Sequence, residues 1–93
     1  MVARSTRQIR KALLRKGFVE EQSHHIQFHF PHDGYVTDIC TFLSHGSKNY
    51  GDALLAAMSR QLHLSKPELL QFIDCTMSGD DYLGLMRERG HLV

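Results

Sequence analysis

The most reactive side chains of this sequence are four histidines within one short stretch. They are His24, His25, His29 and His32. Imidazole titrates near neutral pH, so it can accept or donate a proton in a reaction, and in its neutral form it binds metals. The cluster therefore suggests either a metal site or a site for acid–base catalysis.

A metal site is the less favoured of the two. In an extended strand, His25 and His29 share a face but lie roughly 13 Å apart at ~3.3 Å per residue. Zinc needs each ligand within about 2.1 Å. A site that also recruits His45 from a later loop is the remaining alternative. The sequence also has no phosphate-binding glycine loop and no zinc-protease motif. We therefore predict no metal and no cofactor.

The second chemistry is RNA cleavage without a metal. The 2′-hydroxyl of a ribose attacks the adjacent phosphorus, and a histidine accepts or donates the proton that moves. Such a site needs one positioned imidazole and a few cations that hold the phosphate. The alternative is a strand histidine with a purely structural role.

The stretch from Gln22 to Phe30 alternates polar and apolar residues, which predicts a half-buried strand. On one face we expect His24, Ile26, Phe28 and Phe30. On the other face we expect Ser23, His25, Gln27 and His29. One face can pack on a core, while the other presents imidazoles to solvent.

The charges are unevenly distributed along the chain, although the net charge is only +1. Before Gly17 there are six basic residues and no acidic one, whereas the remainder has five basic and ten acidic residues. A basic end on a small domain suits a polyanion such as nucleic acid. The alternative is a solvated helix face. The six cations are Arg4, Arg7, Arg10, Lys11, Arg15 and Lys16.

The basic segment predicts a helix from Ser5 to Lys16, with Ser5 or Thr6 as N-cap and Gly17 beyond its end. Its apolar stripe is formed by Ile9, Ala12, Leu13 and Lys16. Its basic stripe, on the opposite side, is formed by Arg4, Arg7, Lys11 and Arg15. The basic stripe should be exposed and able to contact phosphate.

The rest of the pattern predicts an α+β domain of residues 1–93, in which a three-stranded antiparallel sheet has helices packed on one face. Further strands are expected at 18–22 and 35–42. We predict a turn over Pro31–Gly34, a loop over 43–51, and helices at 52–62, 65–75 and 81–89. We expect Asp52 to cap the second helix, Ser65 and Glu68 to form a capping box on the third, and Asp80 to cap the last.

Several classes of protein are disfavoured. No apolar run approaches the ~20 residues of a membrane span, and the N-terminus has no secretion signal. Cys40 and Cys75 lack the spacing of a paired motif, and we expect each to be a small buried side chain. These observations predict a cytoplasmic protein that does not contact a membrane.

The order of these elements resembles that of the HicA family of toxin mRNA interferases. In this chain the resemblance rests on a basic first helix, a second strand and four short motifs. The motifs are Arg15-Lys16-Gly17-Phe18, Ser23-His24-His25-Ile26, Ser44-His45-Gly46 and Leu62-His63-Leu64-Ser65. The resemblance covers residues 5–75 and leaves 76–93 as a C-terminal extension.

This resemblance implies a double-stranded-RNA-binding-domain-like fold, α-β-β-β-α, to which this chain adds C-terminal helices. It implies metal-independent cleavage of mRNA and a HicB-like antitoxin that covers the site. We expect the extension to pack either on the sheet or on a second subunit, and the second alternative would make the protein a homodimer. The family's histidine falls on His24, with His25 as the alternative and Ser23 as a helper at the phosphate or the histidine. The expected nucleic-acid-binding residues are Arg7, Lys11, Arg15, Lys48 and His45.

The chain departs from the family pattern at three places. Gln22 stands where the family usually has glycine, Leu43-Ser44-His45 replaces a Pro-x-His motif, and the extension exceeds the usual length. The first departure favours the alternative function, an RNA-binding module of the same fold that does not cleave.

Overall fold

A computed structural model describes residues 3–32, 35–44, 46, 48–74 and 76–92, with the side chains of His32, Tyr35 and Val36 excepted. The strands β2 (Val19–Gln22), β3 (Ile26–His32) and β4 (Tyr35–Leu43) form an antiparallel sheet in that order, and the short strands β1 (Arg4–Ser5) and β5 (Asn49–Tyr50) pair separately. The α+β class and the three-stranded antiparallel sheet are therefore confirmed. The elements are β1 (Arg4–Ser5), α1 (Thr6–Arg15), β2 (Val19–Gln22), β3 (Ile26–His32), β4 (Tyr35–Leu43), β5 (Asn49–Tyr50), α2 (Asp52–Gln61), α3 (Lys66–Ile73) and α4 (Gly79–Glu88).

Helix α1 forms where its local signals predict it. The Ser5 hydroxyl accepts a hydrogen bond from the Gln8 N–H at 3.1 Å, which satisfies one of the open donors of the first turn. Gly17 ends the helix with φ of +92°, a conformation that glycine adopts without strain. The helix buries its apolar side, formed by Ile9, Ala12 and Leu13.

The sheet buries one face and leaves the other open. Phe28 and Phe30 of β3 and Ile39 and Leu43 of β4 point into the core, as expected from their two-residue spacing. On the open face Phe42 is exposed, and Cys40 is half-buried rather than buried as predicted. Cys75 lies outside the described residues.

The hairpin between β3 and β4 is tighter than predicted. Pro31 pairs with Val36, and His32 with Tyr35, so two residues of the predicted turn belong to the strand. A register shift between His29 and Pro31 allows this, because a bulge lets a strand accommodate a residue that cannot donate to the ladder. The other two residues of the predicted turn, Asp33 and Gly34, lie outside the described part of the chain.

The predicted loop over 43–51 contains a strand. Asn49 and Tyr50 form β5 and pair antiparallel with Ser5 and Arg4, respectively. The pair ties this segment to the start of α1. A two-residue strand that pairs with a segment so distant in the chain leaves no local periodicity in the sequence, so the pattern could not indicate it.

Of the N-caps predicted for the three later helices, one agrees with the structure. Ser65 and Glu68 form the predicted capping box on α3. The cap predicted at Asp52 is wrong, because its carboxylate pairs with Lys66 at 2.6 Å and Gly51 takes the cap position. The cap predicted at Asp80 is also wrong, since Ser78 caps α4 in a reciprocal box with Asp81.

Helix α4 contributes to the same core as the sheet. Tyr82 is fully buried, and its hydroxyl donates to the Leu62 carbonyl at 2.9 Å. Its ring lies 5.2–5.8 Å, centroid to centroid, from those of Phe18, Phe30 and Phe72. These spacings are typical of favourable aromatic packing. The C-terminal segment therefore packs on the sheet of its own chain.

Candidate nucleic-acid interface

The predicted catalytic residues lie in a turn and not in a strand. Gln22 pairs with Ile26, so Ser23, His24 and His25 form a three-residue connection between β2 and β3. The single strand predicted from Gln22 to Phe30 is therefore wrong before Ile26. Polar and apolar residue types happen to alternate across the turn as they would in a strand. The faces predicted for His24 and His25 do not apply, because neither residue belongs to a strand.

Ser23 holds this turn closed. Its backbone N–H and its hydroxyl both donate to the His25 carbonyl, at 3.1 and 3.2 Å. Serine side chains commonly compete with ladder pairing in this way, which explains why the strand stops here. Ser23, His24 and His25 are all exposed. Both imidazoles can therefore meet a ligand from solvent.

The turn lies at the end of the sheet where β4 also ends. Ile26 pairs with Gln22 on one side and with Leu43 on the other, so Ser44 follows directly at this end. The His25 ring lies 6.4 Å from that of Phe42, centroid to centroid, with the rings nearly perpendicular. The histidine turn and the segment that begins at Ser44 thus form one end of the sheet.

A cavity of about 240 Å³ opens between this end of the sheet and helix α2. On the sheet side it is bounded by His25, Phe42, Ser44 and Tyr50. On the helix side it is bounded by Leu54, Ala57, Met58 and Gln61, which follow one another at helical spacing. The cavity therefore joins a histidine of the turn to a largely apolar helix face.

Tyr50 fixes the sheet side of this cavity. Its hydroxyl accepts from the Ser44 N–H at 3.1 Å and donates to the Phe42 carbonyl at 3.3 Å. The ring is buried, and β5 holds it in place through the pair with Arg4. Tyr50 could not be identified from the sequence, because its role depends on the β1–β5 pairing.

Two of the predicted phosphate-binding cations lie together on α1. Arg7 and Lys11 are exposed and, with Arg10 and Leu14, line a groove of about 280 Å³. They are one turn apart on the same side of the helix, which allows both to contact neighbouring phosphates. The predicted exposure of these two cations is confirmed.

Lys48 lies beside the start of α1. Its carbonyl accepts from the backbone N–H of Thr6 at 2.9 Å, and the Thr6 hydroxyl lies 3.3 Å from the same oxygen. The backbone of Lys48 is thus held beside Thr6, the residue before Arg7. Arg15 belongs to the last turn of α1, about 12 Å along the helix from Arg7 at ~1.5 Å per residue, and is not part of this group. His45 lies outside the described residues.

Arg4 and Arg10 are engaged in ion pairs. Arg4 does not extend the basic stripe of α1 as predicted, because it belongs to β1 and bonds both carboxylate oxygens of Asp74 at 2.8 Å. Arg10 bonds both oxygens of Glu20, at 2.6 and 3.1 Å. These guanidinium groups hold the pKa of Asp74 and the pKa of Glu20 below their usual values, so both carboxylates stay charged.

Glu20 also connects helix α1 to the histidine turn. Its second oxygen accepts from Gln22 Nε2 at 2.8 Å, and Gln22 is the last residue before the turn. A line of side-chain hydrogen bonds therefore runs from Arg10 through Glu20 to Gln22. The first turn of α1 lies toward the same end of the sheet as the histidine turn, because β1 directly before it pairs with β5, whose Tyr50 bonds to the end of β4.

Within the described residues, no group of three or more histidine, cysteine or acidic side chains is placed to hold a metal ion. His29 lies on β3, where it pairs with Cys40 of β4, and it is four residues along the chain from His25. None of the helices in that part of the chain has the length and hydropathy that a membrane span requires.

The arrangement can perform acid–base chemistry on a bound anion. It offers two exposed imidazoles for proton transfer, cations on an adjoining helix and loop, and an apolar cavity beside one imidazole. Comparison of this chain with protein-family models, with curated protein sequences and with solved structures finds no significant match.

Proposed function

We propose that this protein is a HicA-like endoribonuclease that cleaves mRNA without a metal. The observation that supports this most is the exposed turn of His24 and His25, closed by Ser23, at the end of the sheet that also bears Ser44 and Tyr50. The Lys48 carbonyl bonds to the first turn of α1, which bears Arg7. An imidazole and phosphate-binding cations thus belong to connected elements.

The reaction we propose needs two proton transfers. A neutral imidazole accepts the proton of a ribose 2′-hydroxyl as its oxygen attacks the adjacent phosphorus. The bond from phosphorus to the 5′-oxygen breaks, and that oxygen receives a proton from an acid. The products are a 2′,3′-cyclic phosphate and a 5′-hydroxyl. We assign His24 to this chemistry first and His25 as the alternative.

Ser23 acts as a positioning residue in this proposal. Its two hydrogen bonds to the His25 carbonyl fix the backbone that bears both imidazoles. Lys11, Arg7 and Lys48 hold the phosphates on either side of the reacting one, and Arg15 contacts RNA further along α1. The cationic surface also attracts RNA over longer distances at low salt.

The order of elements supports assignment to the HicA family. The sequence α1-β2-β3-β4-α2 gives the α-β-β-β-α order of a double-stranded-RNA-binding-domain-like fold, and α3 and α4 follow it. On this assignment the protein is a cytoplasmic toxin, and a HicB-like antitoxin binds over the histidine turn. The β1–β5 pair is an addition to that plan.

The alternative function is an RNA-binding module that does not cleave. One observation favours it: the Gln22 side chain, where the family usually has glycine, is bonded to Glu20 directly before the turn. The side chain can therefore restrict how closely RNA approaches the imidazoles. Both functions use the same cations.

Incubation of the purified protein with RNA in EDTA distinguishes these functions. We expect cleavage by the wild type, loss of at least about 100-fold in rate for His24→Ala, and unchanged thermal unfolding of that variant because His24 is exposed. His25→Ala tests the alternative assignment, and His29→Ala is a matched control on the sheet. RNA retention without cleavage would establish the binding module, and no salt-sensitive RNA affinity would exclude both functions.

A further inference from the structure

We propose that the cavity between the end of β4 and helix α2 binds one unstacked nucleobase of the RNA. This inference rests on the proposed function and adds a base-binding subsite to it. The cavity has a volume of about 240 Å³. Cavities for drug-sized ligands measure about 300–1,000 Å³, so this one suits a single ring system and not a dinucleotide.

The apolar walls provide the stacking surface that a base requires. Phe42 at the end of the sheet is 40% exposed and Leu54 of the helix is 47% exposed, and both residues line the cavity. Proteins bind unpaired bases chiefly by stacking them on exposed aromatic rings. Ala57 lies on the same face of α2 as Leu54 and leaves the space that the base would occupy.

The polar lining can read the edge of a base. The buried Thr41 hydroxyl donates to Gln61 Oε1 at 2.6 Å, which anchors the amide at the cavity wall. The Nε2 of Gln61 has no acceptor among the described residues and can donate a hydrogen bond to an oxygen or a ring nitrogen of a base. Ser44 and His25 add further hydrogen-bonding groups at the rim.

The cavity is formed before any ligand binds. Tyr50 holds the end of β4 through its hydroxyl, which bonds to the Phe42 carbonyl and to the Ser44 N–H, and α2 is held by its own buried side chains Leu55 and Met58. A preformed site loses less entropy when a ligand binds. It can therefore select one nucleotide even though the rest of the interface contacts only phosphates.

The position of the cavity connects recognition to cleavage. His25 lines it, and His24 is the preceding residue of the turn. A base in the cavity would bring its own ribose, or the next phosphate, to the imidazoles. The base-binding subsite would thereby determine which phosphodiester bond is cleaved.

Ala57→Leu is the variant that tests this subsite, because the larger side chain fills the cavity without removing a catalytic or cationic group. Ala53→Leu is the matched control, since Ala53 is an exposed residue of the same helix outside the cavity. Affinity is measured with 2′-fluoro hexanucleotides, which lack the attacking hydroxyl and cannot be cleaved. An abasic position is moved along the oligonucleotide, and cleavage of ordinary RNA is measured in parallel.

We expect Ala57→Leu to weaken binding on the order of 10-fold and Ala53→Leu to leave it unchanged. When the abasic position is the one whose base would enter the cavity, binding to the wild type should weaken by a similar factor. The same substitution should not change the affinity of Ala57→Leu. Equal affinities of wild type and Ala57→Leu at every position would overturn the subsite while leaving cleavage unaffected. Absence of both RNA binding and cleavage in the wild type would instead overturn the proposed function and the subsite together.

Discussion

Ser23 contacts the carbonyl of His25 twice, through its N–H at 3.1 Å and through its hydroxyl at 3.2 Å. The hydroxyl contact can be removed without changing the backbone. Ser23→Ala should lower the rate of RNA cleavage by ~10-fold, because a loosened turn no longer holds the imidazoles in one geometry. Ser23→Thr keeps the hydroxyl and should restore the rate. Affinity for uncleavable RNA should be the same in all three proteins, and a loss of affinity in place of rate would contradict a positioning role.

The cations of α1 should determine the salt dependence of RNA binding. On a single strand, each phosphate that the protein neutralises contributes about 0.7 to the slope of log affinity against log salt. Replacing both Arg7 and Lys11 by Gln should therefore reduce the magnitude of this slope by about 1.4. Arg87→Gln, an exposed cation on α4, is the control and should leave the slope unchanged. A change of about 0.7 for Arg87→Gln, which removes one charge where the double variant removes two, would show that only overall charge matters.

The helices could be predicted from sequence more fully than the site. Ser5, Gly17 and the Ser65–Glu68 pair are local signals, and the structure uses each of them as a cap or helix end. The histidine turn could not be predicted, since the bond from Ser23 to His25 interrupts a pattern that continues in the sequence. The position of Tyr50 could not be predicted for another reason, because it depends on a pairing with Arg4, which is far away in the chain.

The Tyr82 hydroxyl should contribute to stability, because it satisfies the carbonyl of Leu62 inside the core. Tyr82→Phe keeps the ring and leaves that carbonyl without its partner, at a cost of about 1–3 kcal/mol in the free energy of unfolding. Tyr82→Ala also removes the ring and should cost about 3–5 kcal/mol. Urea denaturation measures both. A Tyr82→Phe value within about 0.5 kcal/mol of wild type would contradict the structural role of the hydroxyl.

His63 should make the stability of the fold depend on pH. Burial, and then the charge of His91 stacked on it at 3.7 Å, lower the pKa of His63 below its usual 6.5, while Asp38 opposes the shift. The unfolded chain then binds the proton more readily, so the contribution of His63 is present above about pH 6.5 and is lost as the pH falls through the lower folded pKa. Arg89 and Glu68, which pair with each other beside it, remain charged throughout this range.

Unfolding by urea at about pH 7.5 and about pH 5 measures this effect. His63 has a positive φ of 59°, and asparagine tolerates this conformation, so His63→Asn removes the imidazole without straining the backbone. The wild type should lose more stability on acidification than His63→Asn does. Identical losses in the two proteins would show that the buried imidazole does not contribute.

The chemical ends of the RNA products test the central claim most directly. The wild-type protein is incubated with RNA in EDTA, and the termini are identified by mass spectrometry. Attack by the 2′-hydroxyl, assisted by the exposed histidine turn, predicts a 2′,3′-cyclic phosphate and a 5′-hydroxyl, both lost in His24→Ala. A 3′-hydroxyl with a 5′-phosphate, or cleavage that His24→Ala and His25→Ala both retain, would contradict the account.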